Sequence, residues 1–391
     1  MKKVFFGVAP IVLALFFPDF SAAEVQIGEL MVEDGAFVLS SQDKNFLMNI
    51  GGRLQFRYWY ADPEDDHPFV TDEETSSFEL YQARLALRGN AFGKSLNYFL
   101  QLDFQSDKNL KDAYLAYTWG DYLTIRGGFF RPPFTRQRIT TGAGLLFVRR
   151  SIAVEKLAIG RDYGIMADGK LLGKHLVYQF GVWNGEGEDQ KTNDDKYMLY
   201  SARLQLMPFG SIRRIEARDK EADGFNVLLG GSFMYHKPDI GDVEGDEEVE
   251  YAEDFRWSAE AVMTWWRIYL QGEYIEKSID PDVSGMDKID SAGWYAQAGF
   301  LAIPEKLQLA ARYSWLNPNT DDCDDGSDAD IVEEISVGAN FFLRSYRLLL
   351  QTTYSLFMTE YPDYMGLDET GPYEVDNGIE HRFMAQLQLI I

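Results

Sequence analysis

The stretch RPPFTRQRITTGAGLLFVRR, residues 131–150, carries Arg131, Arg136, Arg138, Arg149 and Arg150 and no Asp or Glu. The chain around it has 391 residues and a formal net charge of −25. A guanidinium stays charged at any physiological pH and offers five donors in a planar fork, so this group suits the coordination of oxyanions. The nearest following acid is Glu155. A unit charge pair at about 4 Å is worth roughly 1 kcal/mol in water and about 4 at an effective dielectric of 20. A few arginines beside a wet path therefore attract an anion and still let it go, which is what conduction requires.

Other residue types with chemical potential are poorly placed. His67, His175, His236 and His381 are dispersed, with no catalytic or metal-ligand spacing. DDCDDGSDAD, residues 321–330, has the Asp content and Gly326 of a calcium loop, but Cys323 and Val332 stand where ligands are needed. Cys323 is the only cysteine, so no internal disulfide and no cysteine zinc site is expected. No phosphate-cradling glycine loop is present. A pI near 4.5 argues against nucleic acid as a partner. Neither catalysis, a resident metal nor a cofactor is expected.

The elements that must carry the arginines alternate with period two. In YQARLALRG, Tyr81, Ala83, Leu85 and Leu87 oppose Gln82, Arg84, Ala86 and Arg88. LNYFLQLDF, KLQLAARYSW and the closing HRFMAQLQLII repeat the pattern. Such segments are strands with one apolar face. Connections alternate between short turns (92–95, 119–121, 171–174, 303–306, 343–345) and long, mostly acidic loops such as 61–76 and 239–254. About sixteen strands of this kind, with aromatic residues at their ends, form the pattern of an outer-membrane barrel. The expected fold is all-β: a transmembrane antiparallel β-barrel spanning residues 46–391, with residues 24–45 as a short periplasmic lead-in. Helical character is expected only after Ser151. MKK followed by VFFGVAPIVLALFF reads as a secretory signal cleaved after Ala23. If the apolar parity faces lipid, Arg53, Arg84, Arg88 and Arg126 line the lumen. The third long loop, 131–160, can then fold inward, since RPPF turns the chain off its strand and TTGAG supplies a bend.

LYQARLALRGNAFGKSLNYFLQLDF, LKDAYLAYTWGDYLTIRGGFFRPPFTRQ, LLFVRRSIAVEKLAIGRDYGIMADGKL and YQFGVWNGEG, taken in order, resemble the phosphate-selective porin O and P family. Arg84, Asp112, Tyr114, Gly128, Pro133, Phe134, Arg161, Asp162, Gly164, Asn184 and Gly185 stand at the positions that carry the likeness. The resemblance implies a sixteen-stranded outer-membrane barrel, usually a trimer, with loop three inside and an arginine-rich anion path.

The expected function is a passive outer-membrane channel for small anions, phosphate or a related oxyanion, through a constriction built from Arg131, Arg136, Arg138, Arg149 and Arg150 of loop three and from Arg53, Arg84, Arg88 and Arg126 of the strands. Expected partners are the anions, outer-membrane lipid and lipopolysaccharide, and two further copies of the chain. The alternatives are a general diffusion porin whose lumen charges balance, and a structural or adhesive surface barrel whose acidic loops bind divalent cations.

Overall fold

A strand with apolar residues on one face and polar residues on the other must place its two faces in different solvents. A closed barrel in lipid does this without leaving a sheet edge. The computed structural model describes residues 27–33, 36–63, 74–188, 191–193, 196–241, 250–281, 288–320, 331–360, 365–368, 371–374 and 378–391. It forms a barrel of 16 antiparallel strands. In chain order these are β1 (Leu47–Pro63), β2 (Thr75–Ala91), β3 (Leu96–Asp103), β4 (Leu110–Thr118), β5 (Thr124–Phe130), β6 (Asp162–Leu171), β7 (Leu176–Trp183) and β8 (Leu199–Leu206). The second half comprises β9 (Asn226–His236), β10 (Glu250–Trp265), β11 (Ile268–Pro281), β12 (Ile289–Ile303), β13 (Leu307–Asn317), β14 (Ile331–Arg344), β15 (Leu348–Glu360) and β16 (Gly378–Ile390). Closure comes from β16 against β1, with Leu387 opposite Phe56 and Leu389 opposite Leu54. Residues 27–33 and 36–41 form a hairpin that pairs with the start of β1, Val38 opposite Asn49. That hairpin occupies most of the expected lead-in, while the signal stretch 1–23 lies outside the described residues.

The two faces divide as the alternation requires. Leu54, Phe56, Leu115, Ile125, Leu309, Phe383, Leu387 and Leu389 are exposed on the outside. Gln308, Arg312, Ser314, Gln386 and Gln388 are buried on the inside. Aromatic pairs mark the short-turn end: Tyr117 with Trp119 at 4.4 Å, Phe209 with Phe225 at 5.6 Å and Trp266 with Phe300 at 6.4 Å between ring centres. These positions suit the interfacial girdle of a membrane barrel.

Two connections are not surface features. Residues 131–161, between β5 and β6, are largely buried, Phe134, Leu146, Phe147 and Val154 almost completely. They carry α1 (Arg136–Ile139) and α2 (Ile152–Leu157). Residues 207–225, between β8 and β9, leave the opposite, short-turn end and bury Glu216 and Ala217. Read as sequence, this second segment raised no expectation of a long connection at that end. It is a correction to the rule of short turns there. The acidic stretch 321–330, Cys323 included, and most of the acidic parts of 61–76 and 239–254 lie outside the described residues.

Candidate functional site

The inserted loop is held by the wall it crosses. Gly128, at φ 143°, lies within β5 paired to both neighbouring strands, and a Cβ there would stand 2.2 Å from the Ala113 carbonyl oxygen. The buried Pro132–Pro133 pair then carries the chain inward. Short helices leave their first N–H groups without intrahelical acceptors, and a carboxylate is well placed to accept them. The wall supplies two. Glu273 of β11 accepts from the Arg136 and Gln137 amides at 2.6 and 2.7 Å. Glu334 of β14 accepts from the Ile152 amide at 2.9 Å. Thr135 and Ser151 cap the same helices with their side chains. Between the helices, wall amides hold the loop's carbonyls: Asn340 donates to Leu146, Gln351 to Leu145 and Gln388 to Ala143, at 3.0 to 3.1 Å. The wall also makes room. A Cβ on Gly293 of β12 would meet the Ala153 Cβ at 2.9 Å and the Leu157 Cδ1 at 3.0 Å.

The second inserted segment docks on the first. The Glu216 and Ala217 amides donate to the Gly144 carbonyl at 2.7 and 3.2 Å. The Glu216 carboxylate accepts from the Leu146 amide at 3.0 Å, from Gln271 at 3.1 Å and from Gln297 at 2.9 Å. Arg136 reaches across and donates to the Arg213 carbonyl at 2.9 Å. Met207 and Ile212 pack with Leu146 and Phe147. The lumen is therefore narrowed from both ends by two segments that share a buried contact. Arg213, Arg214 and Arg218 were not among the residues the sequence singled out. The signal available was SIRRIEARDK, a basic run with spaced apolar residues in a segment too long for a tight turn.

The five loop arginines do not form one cluster. Arg131 donates to the Arg138 carbonyl at 2.6 Å, and Arg138 to the Ile159 carbonyl at 2.7 Å. Arg150 donates to the Gln137 and Thr140 carbonyls at 3.0 and 2.9 Å. Three of the five thus hold the loop's own backbone, and none of these bonds is to a carboxylate. Burial lowers the pKa of Arg131 well below the usual guanidinium value, and the charges of Arg161, Arg150 and Arg138 push it the same way. Burial and Arg138 likewise lower Arg150. Arg136 points instead toward the second segment, 1% exposed, among Glu260, Glu273 and Glu216. Arg149 pairs with Glu155 at 2.6 Å.

Among the strand arginines, Arg53 and Arg84 stand opposite each other across β1 and β2. Arg53 donates to Thr141 of the inserted loop at 2.9 Å, and Arg84 pairs with Asp103 at 2.8 Å. Arg126 pairs with Asp168 at 3.4 Å and lies 4.5 Å from the Tyr114 ring centre. Arg88 is exposed toward the short-turn end of β2 and makes no bond to either inserted segment among the described residues. Arg203 of β8, buried, is ion-paired with Glu260. Arg214 keeps accessible surface, and the enclosing protein, with the charges of Arg203, Arg136 and Arg126, lowers its pKa to about 10. Two electrostatic zones result. Around Arg136, Arg203, Arg126 and Arg214, the acids Glu216, Glu260, Glu273 and Asp168 match the cations. Toward β1–β7, Arg53, Arg84, Arg131, Arg138, Arg150 and Arg161 outnumber Asp103, Asp112, Glu188 and Glu155, the last of which also acts on Arg138 and Arg150. No group of three or more His, Cys, Asp or Glu that could hold a metal occurs among the described residues.

A closed lipid-facing barrel narrowed by inserted loops is an outer-membrane porin. Solved barrels share its architecture. OmpT of Vibrio cholerae aligns with a TM-score of 0.57 over 92% of this chain and 100% of that one, at 11% identity. The outer membrane channel DcaP of Acinetobacter baumannii gives 0.54 over 90% and 99%, at 12% identity. OmpF of Salmonella typhi, in complex with daunomycin, gives 0.53 over 88% and 98%, at 12% identity. At such identities the likeness is one of fold. The family model for phosphate-selective porin O and P matches residues 49–363, and the chain belongs to that family. Its place is the bacterial outer membrane. An uncharacterised protein of Aquifex aeolicus is 24% identical over 270 residues, 62% of this chain, and the match spans 61% of that protein's length.

Proposed function

We propose that this porin passes small anions, phosphate or related oxyanions, along the face of the inserted loop turned toward β1–β7. One observation carries the reading. Arg131, Arg138, Arg150 and Arg161 stand near one another, and the first three are bonded to backbone carbonyls rather than to carboxylates. Such bonds fix a guanidinium without neutralising it, so the field it adds to the lumen remains. Arg53 and Arg84 extend that field along the wall, and Arg88 stands nearer the short-turn end, while Arg126 is matched by Asp168. No reaction is proposed. Reversal potentials across a bilayer in a salt gradient test the reading.

The charge-matched ion pairs Arg84–Asp103, Arg126–Asp168, Arg203–Glu260 and Arg312–Glu334 favour a second reading, a general diffusion porin. It predicts near-equal permeability for chloride and potassium. Assembly as a homotrimer belongs with either reading, since a trimer form of the Vibrio cholerae OmpT has been solved.

A further inference from the structure

On the other side of the inserted loop, between α2 and the β13–β16 wall, lies a cavity of about 250 Å³. Its floor is apolar: Val332, Phe357 and Met384 point inward from β14, β15 and β16 and are at most 6% exposed, and Ile152 closes one side. Its rim is cationic. Arg149, Arg150, Lys156, Arg312 and Arg382 line it against two carboxylates, Glu155 and Glu334. Both carboxylates are already engaged, and Arg382 pairs outside the cavity lining with buried Glu380 at 2.7 Å. Glu155 pairs with Arg149 at 2.6 Å. Glu334 pairs with Arg312 and also accepts from Ser336 at 2.6 Å and from the Ile152 amide at 2.9 Å. The Arg382 guanidinium lies 4.8 Å from the Phe357 ring centre, so a cation and an aromatic face meet at the cavity wall.

Hydrated phosphate has no use for an apolar floor. A solute that gains from both surfaces has one carboxylate and a compact hydrocarbon body. The volume suits it, since an apolar cavity of about 150 Å³ accommodates benzene. We propose that this cavity is a binding site for small monocarboxylates with an apolar body, of the size of benzoate, and that such solutes are cargo of this channel beside inorganic anions. The carboxylate sits among Arg150, Lys156 and Arg382, and the ring rests on Val332, Phe357 and Met384. The proposal extends the anion-channel reading and shares Arg150 with it, but the apolar floor, Lys156 and Arg382 belong to this cavity and not to that path, so the two can fail separately.

The test measures binding of benzoate to the detergent-solubilised full-length barrel by calorimetry, with acetate, orthophosphate and benzyl alcohol as comparison probes. Benzoate should bind more tightly than all three. Acetate lacks the hydrocarbon body, phosphate lacks it too, and benzyl alcohol lacks the charge. Val332→Phe should fill the floor and abolish the binding. Lys156→Gln, an exposed change that leaves the barrel intact, should weaken benzoate by about tenfold, the loss typical of one charge-assisted hydrogen bond. Benzoate binding no tighter than acetate, or unchanged in both variants, overturns the proposal. Anion selectivity in KCl is read on the same protein: its absence together with benzoate binding overturns the channel reading alone, and its presence without benzoate binding overturns this one alone.

Discussion

Glu216 is the residue on which the two inserted segments depend. It is fully buried, and its carboxylate satisfies the Leu146 amide and the side chains of Gln271 and Gln297. Each buried donor left without an acceptor costs about 1–3 kcal/mol. Glu216→Leu should therefore undock the 207–225 segment while the strands stay paired. Single-channel recording should show a larger, noisier conductance, with the barrel still resistant to SDS before heating; unchanged conductance would remove Glu216 from this role. Gly293 tests the same packing from the wall. A side chain there meets Ala153 and Leu157 of α2. Gly293→Leu should displace α2 and raise protease sensitivity between 131 and 161, whereas Gly231→Leu, on β9, should not. Arg150 is argued to contribute charge rather than a pairing. Arg150→Gln keeps a donor for the Gln137 and Thr140 carbonyls and removes the charge, and should lower chloride-over-potassium preference. Lys174→Gln should change it less, because Lys174 pairs with Asp121 at an exposed rim, in electrolyte that screens within about 8–10 Å.

At the scale of elements, the strands were legible because their side-chain period is two and each face meets one solvent. Leu307, Leu309 and Tyr313 opposite Gln308, Arg312 and Ser314 could be assigned to outside and inside from alternation alone. The inward course of 131–160 was legible too, because proline cannot continue a ladder and the stretch lacks acids. What alternation does not encode is the tertiary partner of a loop. Nothing in SIRRIEARDK states that its glutamate will meet Leu146 and its carbonyls Arg136, since those contacts join positions far apart in the chain. For the same reason the five loop arginines read as one cluster, whereas their bonding divides them: Arg136 faces the second segment and Arg149 faces Glu155. The division predicts that shortening the second segment by removing residues 212–221 widens the pore without removing selectivity. The β1–β7 arginines and the first inserted loop remain in place, so conductance should rise while the reversal potential changes little. Loss of selectivity in that variant would place the filter at Arg213, Arg214 and Arg218 instead.

At the scale of the molecule, a chain with a formal net charge of −25 keeps an excess of arginine on one side of an inserted loop. Charge on loops beyond the membrane faces open electrolyte, whereas charge in a narrow lumen acts on every ion that passes. The account therefore predicts a selectivity opposite in sign to what the whole-chain charge suggests. The most direct measurement is the zero-current potential of the purified wild-type channel in a planar bilayer across a KCl gradient, repeated with potassium phosphate. The account predicts a potential with the sign of anion permeation, reduced in Arg150→Gln. A potential near zero, or one with the sign of cation permeation, would contradict it.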